Sequence, residues 1–378
     1  MWQAEAHIDL DALRANVARL KAATTAEVMA VVKADGYGHG AVPSARAALA
    51  GGATWLGVRS LPEALELRAA GITEPVLAWL LAPGTPMHEG VAAAVDLSVA
   101  SLPQLAELVA AAQVAGRPAR THLKIDTGLN RNGAPSSAWP RLVEAAAKAQ
   151  ADGMLEVVGV WSHLACADIP GHESIDRQVR DFHEALEIGE RAGVTPQLRH
   201  LANSAALLTR PDAHFDLVRP GIAVYGLSPI AGEDFGLRPA MTARAPVTLV
   251  KRVPAGEGVS YGHTYVTARE TTLALIPLGY ADGVPRHASS CAPVWLNGRR
   301  HQIAGRVCMD QFVLDIGDEQ AVAGDEAVLF GPGDRGEPTA DDWAAAIGTI
   351  NYEIVTRFGR SGVARSYSGG SADDSEGG

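Results

Sequence analysis

The run Val28-Met29-Ala30-Val31-Val32-Lys33-Ala34-Asp35-Gly36-Tyr37-Gly38-His39-Gly40 carries an apolar segment onto a lysine and then into a glycine-rich turn. Val28 to Val32 reads as a strand buried on both faces, because β-branched residues recur without the polar alternation of a half-exposed strand. A lysine where such a strand stops is costly unless it is neutralised by an ion pair or by Schiff-base formation with a carbonyl cofactor. Tyr37 sits among Gly36, Gly38 and Gly40, which let the backbone turn sharply and approach a ligand, while the tyrosine offers a flat ring and a hydroxyl.

Working outward, short β-rich runs alternate with alanine-rich helical stretches. Val28–Val32, Thr54–Val58, Val76–Leu80, Asp96–Val99, Thr121–Ile125, Val157–Ser162, Leu198–Leu201 and Phe215–Val218 make eight strand candidates. Helices are expected over Ile8–Ala22, Ala41–Leu49, Pro62–Ala70, Leu102–Ala115, Pro140–Ala151 and Glu173–Ala192, with the gap after Leu80 less clear. This rhythm predicts a closed parallel (β/α)8 barrel of the TIM type, whose chemistry gathers at the carboxyl ends of the strands. After Gly226 the texture changes to strand-like runs between Pro, Gly and Asn turns: Val247–Val253, Thr272–Ile276, Val294–Leu296, Ile303–Cys308, Phe312–Leu314 and Ala327–Phe330, with a short helix near Asp341–Ile347. The expected organisation is a barrel over 1–238, a mostly β C-terminal domain over 239–367 and a polar, disordered tail over 368–378.

Composition narrows the function. A net charge of -11, from 32 Lys plus Arg against 43 Asp plus Glu, argues against an extended nucleic-acid or anionic-membrane surface and leaves room for local basic pockets. No basic leader precedes an apolar core at the N-terminus, and no uninterrupted apolar run is long enough to span a bilayer, so a soluble cytoplasmic protein is expected. Cys166, Cys291 and Cys308 are odd in number and widely spaced, which suits reduced thiols rather than a disulfide framework, and the twelve histidines show no metal-binding spacing.

Polar residues then fall on one rim of the barrel. Lys33 ends the first strand, Lys124 and Arg131 surround the end of the fifth, His163 ends the sixth, Asn203 and Ser204 follow the seventh and Arg219 ends the eighth, with nothing comparable read at the opposite end. Each alone is compatible with a rim ion pair or hydrogen bond. Together they describe a site. Ser204, Gly221 and Ile222 occupy the loops after strands seven and eight, where a hydroxyl and backbone amides can bind a phosphate.

Six runs in order carry a resemblance to a known family: Ala30 to Gly40, His122 to Gly128, His200-Leu201-Ala202-Asn203-Ser204, Val218-Arg219-Pro220-Gly221-Ile222, Val259-Ser260-Tyr261-Gly262, and Gly305 to Gln311. The chain from about Ala6 to Tyr367 resembles the alanine racemases. That resemblance implies a pyridoxal 5'-phosphate (PLP) enzyme that interconverts L- and D-alanine and supplies D-alanine for peptidoglycan. It also implies a head-to-tail homodimer whose β domains lend residues to each other's sites. Lys33 would be the Schiff-base lysine and Tyr261, from the partner subunit, the opposing acid/base. His163 would lie near the Tyr261 hydroxyl, Arg131 near the substrate carboxylate, and Arg219 would donate to the pyridine nitrogen. Tyr37, Ser204, Gly221, Ile222 and Tyr352 would hold the phosphate with Asn203 beside them, Met309 and Tyr280 would line or gate the substrate's way in, and Lys124 would be open to carbamylation. Asn130 and Asn132, flanking Arg131, depart mildly from many relatives. A decarboxylase of the same fold and a non-catalytic PLP-binding protein are the competing readings; the missing Gly-Gly-Gly run argues against the first and the β domain with Tyr261 against the second. Because one methylene in a small pocket changes specificity by only about 1–3 kcal/mol, serine is expected to leak through.

Overall fold

In the computed structural model, which describes residues 3–358 and 363–370, eight short parallel strands form one ring. They are Glu27–Val31, Trp55–Val58, Val76–Ala78, Asp96–Val99, Ala119–Lys124, Leu155–Trp161, Leu198–His200 and Leu217–Val218. The first seven pair in sequence order, and the eighth returns to the first through Glu27↔Leu217 and Val28↔Val218. Between the seventh and eighth the ring is closed by two backbone bonds, Asp216 N–H to Arg199 O at 3.0 Å and Arg219 N–H to Ala202 O at 2.9 Å. The continuous apolar runs follow from this closure: one face packs inside the ring, the other under helices, so neither tolerates regular polar alternation.

The helices begin where local chemistry tells them to. Ser60 and Glu63 form a capping box ahead of Leu61–Ala69, Ser101 accepts the Gln104 N–H ahead of Leu102–Ala115, and both helices carry proline in their first turn. The unclear gap after Leu80 holds the short helix Met87–Ala92.

The second domain is built on two larger sheets, one antiparallel and one mixed. Leu249–Val253, Thr271–Ile276 and Phe312–Gly317 make a three-stranded sheet. A six-stranded sheet runs in the order Arg299–Gln302, Pro293–Leu296, Glu326–Phe330, Met241–Pro246, Glu5–Asp9, Ala364–Ser368. The start of the chain therefore does not pair with the barrel that follows it. Glu5–Asp9 lies antiparallel to Met241–Pro246 and parallel to Ala364–Ser368, with Ala6 and Ile8 buried. Ile8 and Asp9, expected to open a helix, end this strand instead, and Asp9 caps the helix Leu10–Ala22 by accepting the Ala12 N–H at 3.0 Å. Ser368, expected in the polar tail, closes the last strand and hydrogen-bonds His7; 371–378 lie outside the described residues.

Ile303–Cys308 is a loop rather than a strand, with the Ile303–Leu314 contact its one β-bridge among the described residues. The strand lies one segment earlier, in the polar Arg299–Gln302. Asn297 and Gly298 at φ of 48° and 90° make the tight turn that pairs it with Pro293–Leu296. Among the described residues no helix is long and apolar enough to cross a membrane.

Candidate active site

The strand Glu27–Val31 ends two residues before Lys33, and Lys33 opens a turn of the wrong hand. Ala34, Asp35, Gly36 and Tyr37 take φ of 54°, 55°, 59° and 53°, a left-handed helical turn. For L-residues this costs about 1–2 kcal/mol each. It persists because the surroundings determine it: Glu63 Oε1 accepts the Ala34 N–H at 2.9 Å, Val32 O accepts the Gly36 N–H at 2.9 Å, and Asp35 O accepts from Gly40 at 2.9 Å. Asp35 Oδ1 also accepts the Ala41 N–H at 2.9 Å, while its other oxygen lies 2.6 Å from Arg365 Nη1 of the last strand. The turn points Lys33 and Tyr37 to the same side, with the Lys33 Nζ 5.9 Å from the ring centres of both Tyr37 and Trp79.

Across the rim stands a second cationic group. Buried Lys124 has its Nζ 4.2 Å from the centre of the Trp161 ring, and the Arg219 guanidinium lies 4.8 Å from that ring. Burial, then Arg219 and Arg131, brings Lys124 down to about 7. Burial and then Arg131 also hold Lys33 below the ordinary amine range, with Glu63 acting in the opposite sense. Burial takes Arg219 down to about 9, which leaves it protonated at neutral pH. His163, half-buried and within 3.3 Å of Arg219 Nη2, is kept neutral by burial and the neighbouring cations. Arg131 itself is exposed; Asp126 Oδ1 accepts the N–H groups of Gly128 and Asn130 at 2.9 and 3.1 Å, and Asn130 at φ of 55° turns the chain just before the arginine. Asparagine tolerates that conformation better than most residues, which gives the unusual flank a local reason.

The loops after the seventh and eighth strands meet over Tyr37. Ser204 Oγ accepts the N–H of Gly221 at 2.8 Å and of Ala223 at 3.4 Å, and Asn203 caps the helix Ser204–Thr209 through the Ala206 N–H at 3.1 Å. A Cβ on Gly221 would stand 2.4 Å from the Tyr37 hydroxyl, so only glycine admits the ring there. Ile222 opens the following turn. Tyr352, on the helix Asn351–Arg357, brings its ring to 6.3 Å from Tyr37. Burial pushes both phenols upward, so each keeps its proton and can donate it in a hydrogen bond.

Lys33, Tyr37, Lys124, His163, Asn203, Ser204, Arg219, Gly221, Ile222 and Tyr352 thus converge, with Arg131 acting electrostatically at the margin. Tyr261, Tyr280 and Met309 do not join them within one chain. They are 71%, 45% and 53% exposed on the second domain. Backbone bonds from Tyr280 to Cys308 O and from Ala281 to Met309 O, both 3.0 Å, tie two of them together. Ser260 Oγ, donating to Arg306 O at 2.6 Å, ties the Tyr261 turn to the same loop.

Some contributors escape a sequence reading. Trp161 carries the two cations on its face, yet it appears only as the last apolar residue of a strand. Glu63 reads as a helix cap and does that work too, while its Oε1 also holds the left-handed turn. The amino ends of the strands are not bare either: Arg120 bridges Asp96 at 2.8 Å and Glu156 at 3.1 Å.

The site has the donors that an anionic cofactor needs. Lys33, Lys124, Arg131 and Arg219 crowd one rim, where burial and then the neighbouring arginines hold the two lysines below the ordinary amine range, with Glu63 opposing the shift of Lys33 and Asp126 that of Lys124. Two protonated phenols and a hydroxyl–amide cradle lie beside them, a set that suits a phosphate and a carboxylate.

Comparison with known proteins agrees with this chemistry. Residues 8–229 match the alanine racemase N-terminal domain and residues 240–367 the alanine racemase C-terminal domain. An alanine racemase of Salinispora arenicola is 70% identical over 369 residues, covering 98% of this chain and 99% of the relative. One of Thermobifida fusca is 61% identical over 368 residues, covering 97% and 98%. The crystal structure of alanine racemase from D-cycloserine-producing Streptomyces lavendulae superposes with a TM-score of 0.97 at 54% identity, over 99% of both chains. That from E. faecalis gives 0.88 at 33% identity, over 97% and 98%.

Proposed function

As a member of the alanine racemase family, the chain interconverts L- and D-alanine, and we propose that it does so with PLP held at Lys33 and with Lys33 and Tyr261 as the two proton carriers. The observation that carries this reading is the convergence of Lys33, Tyr37 and the Ser204–Gly221 cradle with Arg219 on one rim. Tyr37, Ser204, Gly221, Ile222 and Tyr352 would hold the phosphate, Arg219 would donate to the pyridine nitrogen, and Asn203 would hold the Ser204 helix in place. When bound, the cofactor supplies a conjugated ring that spreads the charge left at Cα by proton loss.

Racemisation needs a group on each face of Cα. The Lys33 amine, held below the ordinary range by burial and Arg131, is unprotonated at neutral pH more often than a solvated lysine and so is available as a base. Tyr261 is exposed on its own chain, which supports a homodimer in which it reaches the partner's barrel, with Tyr280 and Met309 beside it narrowing the site and Arg131 meeting the substrate carboxylate. Arg219 keeps its proton, so the ring nitrogen gains a donor without gaining a charge, which limits competing reactions. The three free thiols suit the cytoplasm.

The test is a visible spectrum of the purified protein with PLP, followed by D-alanine formation from L-alanine. Lys33→Ala should lose both the bound chromophore and turnover. Absence of any PLP absorbance in the unaltered protein would overturn the cofactor reading.

A further inference from the structure

Four buried polar side chains cross the barrel interior in single file: Arg219 and His200 near the carboxyl ends of the strands, His122 in mid-strand and Asp96 at an amino end. Arg219 Nη1 lies 3.0 Å from His200 Nδ1, His200 Nε2 lies 2.8 Å from His122 Nδ1, and His122 Nε2 lies 3.1 Å from Asp96 Oδ2. The orientation of every link can be deduced. A guanidinium has no acceptor, so Arg219 donates and His200 Nδ1 is bare. His200 must then carry its proton on Nε2 and donate to His122 Nδ1, since a ring with two bare nitrogens would be an anion. His122 Nδ1 is therefore also bare. Its proton sits on Nε2 and is donated to the Asp96 carboxylate.

The surroundings are shaped for this file. A Cβ on Gly159 would stand 2.2 Å from His122 Nδ1, so glycine leaves the space the ring occupies. Trp161 stacks on His200 at 5.6 Å and 7°, and Trp55 meets His122 edge-on at 5.6 Å. Arg120 anchors Asp96 through Nε at 2.8 Å and Nη2 at 3.2 Å. On the other side, Ser162 O at 2.8 Å and Leu201 O at 3.2 Å accept from Arg219 Nη2. The Nε–H and one Nη1 proton are left without an acceptor among the described residues.

We propose that Asp96 and His122 are positioning residues for Arg219: through His200 they fix which guanidinium protons are bound to the barrel and which are left to face the cofactor ring. This rests on the assignment of Arg219 to the pyridine nitrogen. No proton is transferred. The carboxylate polarises two neutral imidazoles in succession, each becoming a stronger acceptor for the next donor, and Arg219 is held in one rotamer.

Nitrogen-15 NMR of histidine-labelled protein tests the arrangement itself. His122 and His200 should each carry a single ring proton, on Nε2. His200 protonated on Nδ1, or a cationic His122, would overturn the proposal. His122→Leu removes the acceptor for the His200 Nε2 proton, so His200, and with it Arg219, should lose its fixed orientation; the bound PLP band should shift and kcat should fall about 10- to 100-fold, as is common when an outer partner of a functional group is lost, with the KM for alanine little changed. His122→Gln, with a carbonyl toward His200 and an amide toward Asp96, should recover the band position and most of kcat. Leu and Gln variants that behave alike would also overturn it. Should the Leu variant fail to fold, the unaltered protein and the Gln variant decide the matter. Expected tautomers in a protein that never takes up PLP would sink the functional reading, not the hydrogen-bond file.

Discussion

The Lys124 ammonium nitrogen lies 4.2 Å from the centre of the Trp161 ring. The ring also faces Arg219, so two cations share one face, and burial, then the Arg219 charge, brings the more easily neutralised of them, Lys124, down to about 7. A neutral amine is the form that adds to carbon dioxide. With carbon-13 bicarbonate at neutral pH, a carbamate signal is expected that disappears in Lys124→Arg. No signal at saturating bicarbonate would show that Lys124 works as a free amine.

The same lowered value fixes a pH dependence. The unfolded chain holds the Lys124 proton up to about 10.5, the folded chain only to about 7. Between these limits the unfolded state binds more protons, so this group's contribution to stability improves as pH rises through the window, and below it the charged amine is a full burden. In bicarbonate-free buffer, Lys124→Met should raise Tm most near about pH 6 and least near about pH 10. An increase that grows with pH would contradict the sign.

Tyr261→Phe should keep a normal PLP spectrum while losing about 10²–10⁴-fold in racemisation, the usual value of a positioned acid/base. The family resemblance implies Lys33 for the D-face proton and Tyr261 for the L-face proton, and on that assignment the variant should exchange the α-hydrogen of D-alanine in heavy water faster than that of L-alanine. Equal exchange would assign the second proton to another group.

Mixing Lys33→Ala protein with Tyr261→Phe protein should restore activity through hybrid dimers that hold one intact site. Subunit exchange demonstrated by mass spectrometry without recovered turnover would mean that Tyr261 does not act in the partner's barrel.

Gly221→Ala should weaken PLP binding, because the new Cβ would stand 2.4 Å from the Tyr37 hydroxyl. Overpacking of this kind costs about 1–3 kcal/mol, or roughly 5- to 150-fold in the dissociation constant. Combining it with Tyr37→Phe should cost less than the sum of the two changes, since they meet at one atom. Strict additivity would place the glycine's importance elsewhere.

Much of the barrel is visible in the sequence because both faces of its strands are buried, and Val28–Val32 shows this most plainly. What stays hidden is set by tertiary context. Nothing in Ala34 or Asp35 signals a left-handed backbone; Glu63 and Arg365, distant in sequence, hold it. Arg299–Gln302 is polar because it is an edge strand, so the apolar Ile303–Cys308 draws the eye to the wrong segment. Asp96 and His122 lie on different barrel strands, so their pairing appears only once the ring closes. Tyr261, Tyr280 and Met309 are legible only by likeness to the family, because one folded chain does not bring them to Lys33.

The pairing of the first strand with the last has a consequence for biosynthesis. The turn that carries Lys33 is translated early, but two of its contacts come last: Arg365 reaches Asp35, and the Tyr367 hydroxyl occupies the space where Gly40 would bear a Cβ. Glu5–Asp9 also lacks its parallel neighbour until Ala364–Ser368 is made. A ribosome-bound chain can therefore close its ring while the lysine turn is held by Glu63 and its own backbone but not yet by Arg365, and a message truncated just short of Arg365 would yield a full barrel with its first strand unpaired on one side and Asp35 without its ion pair.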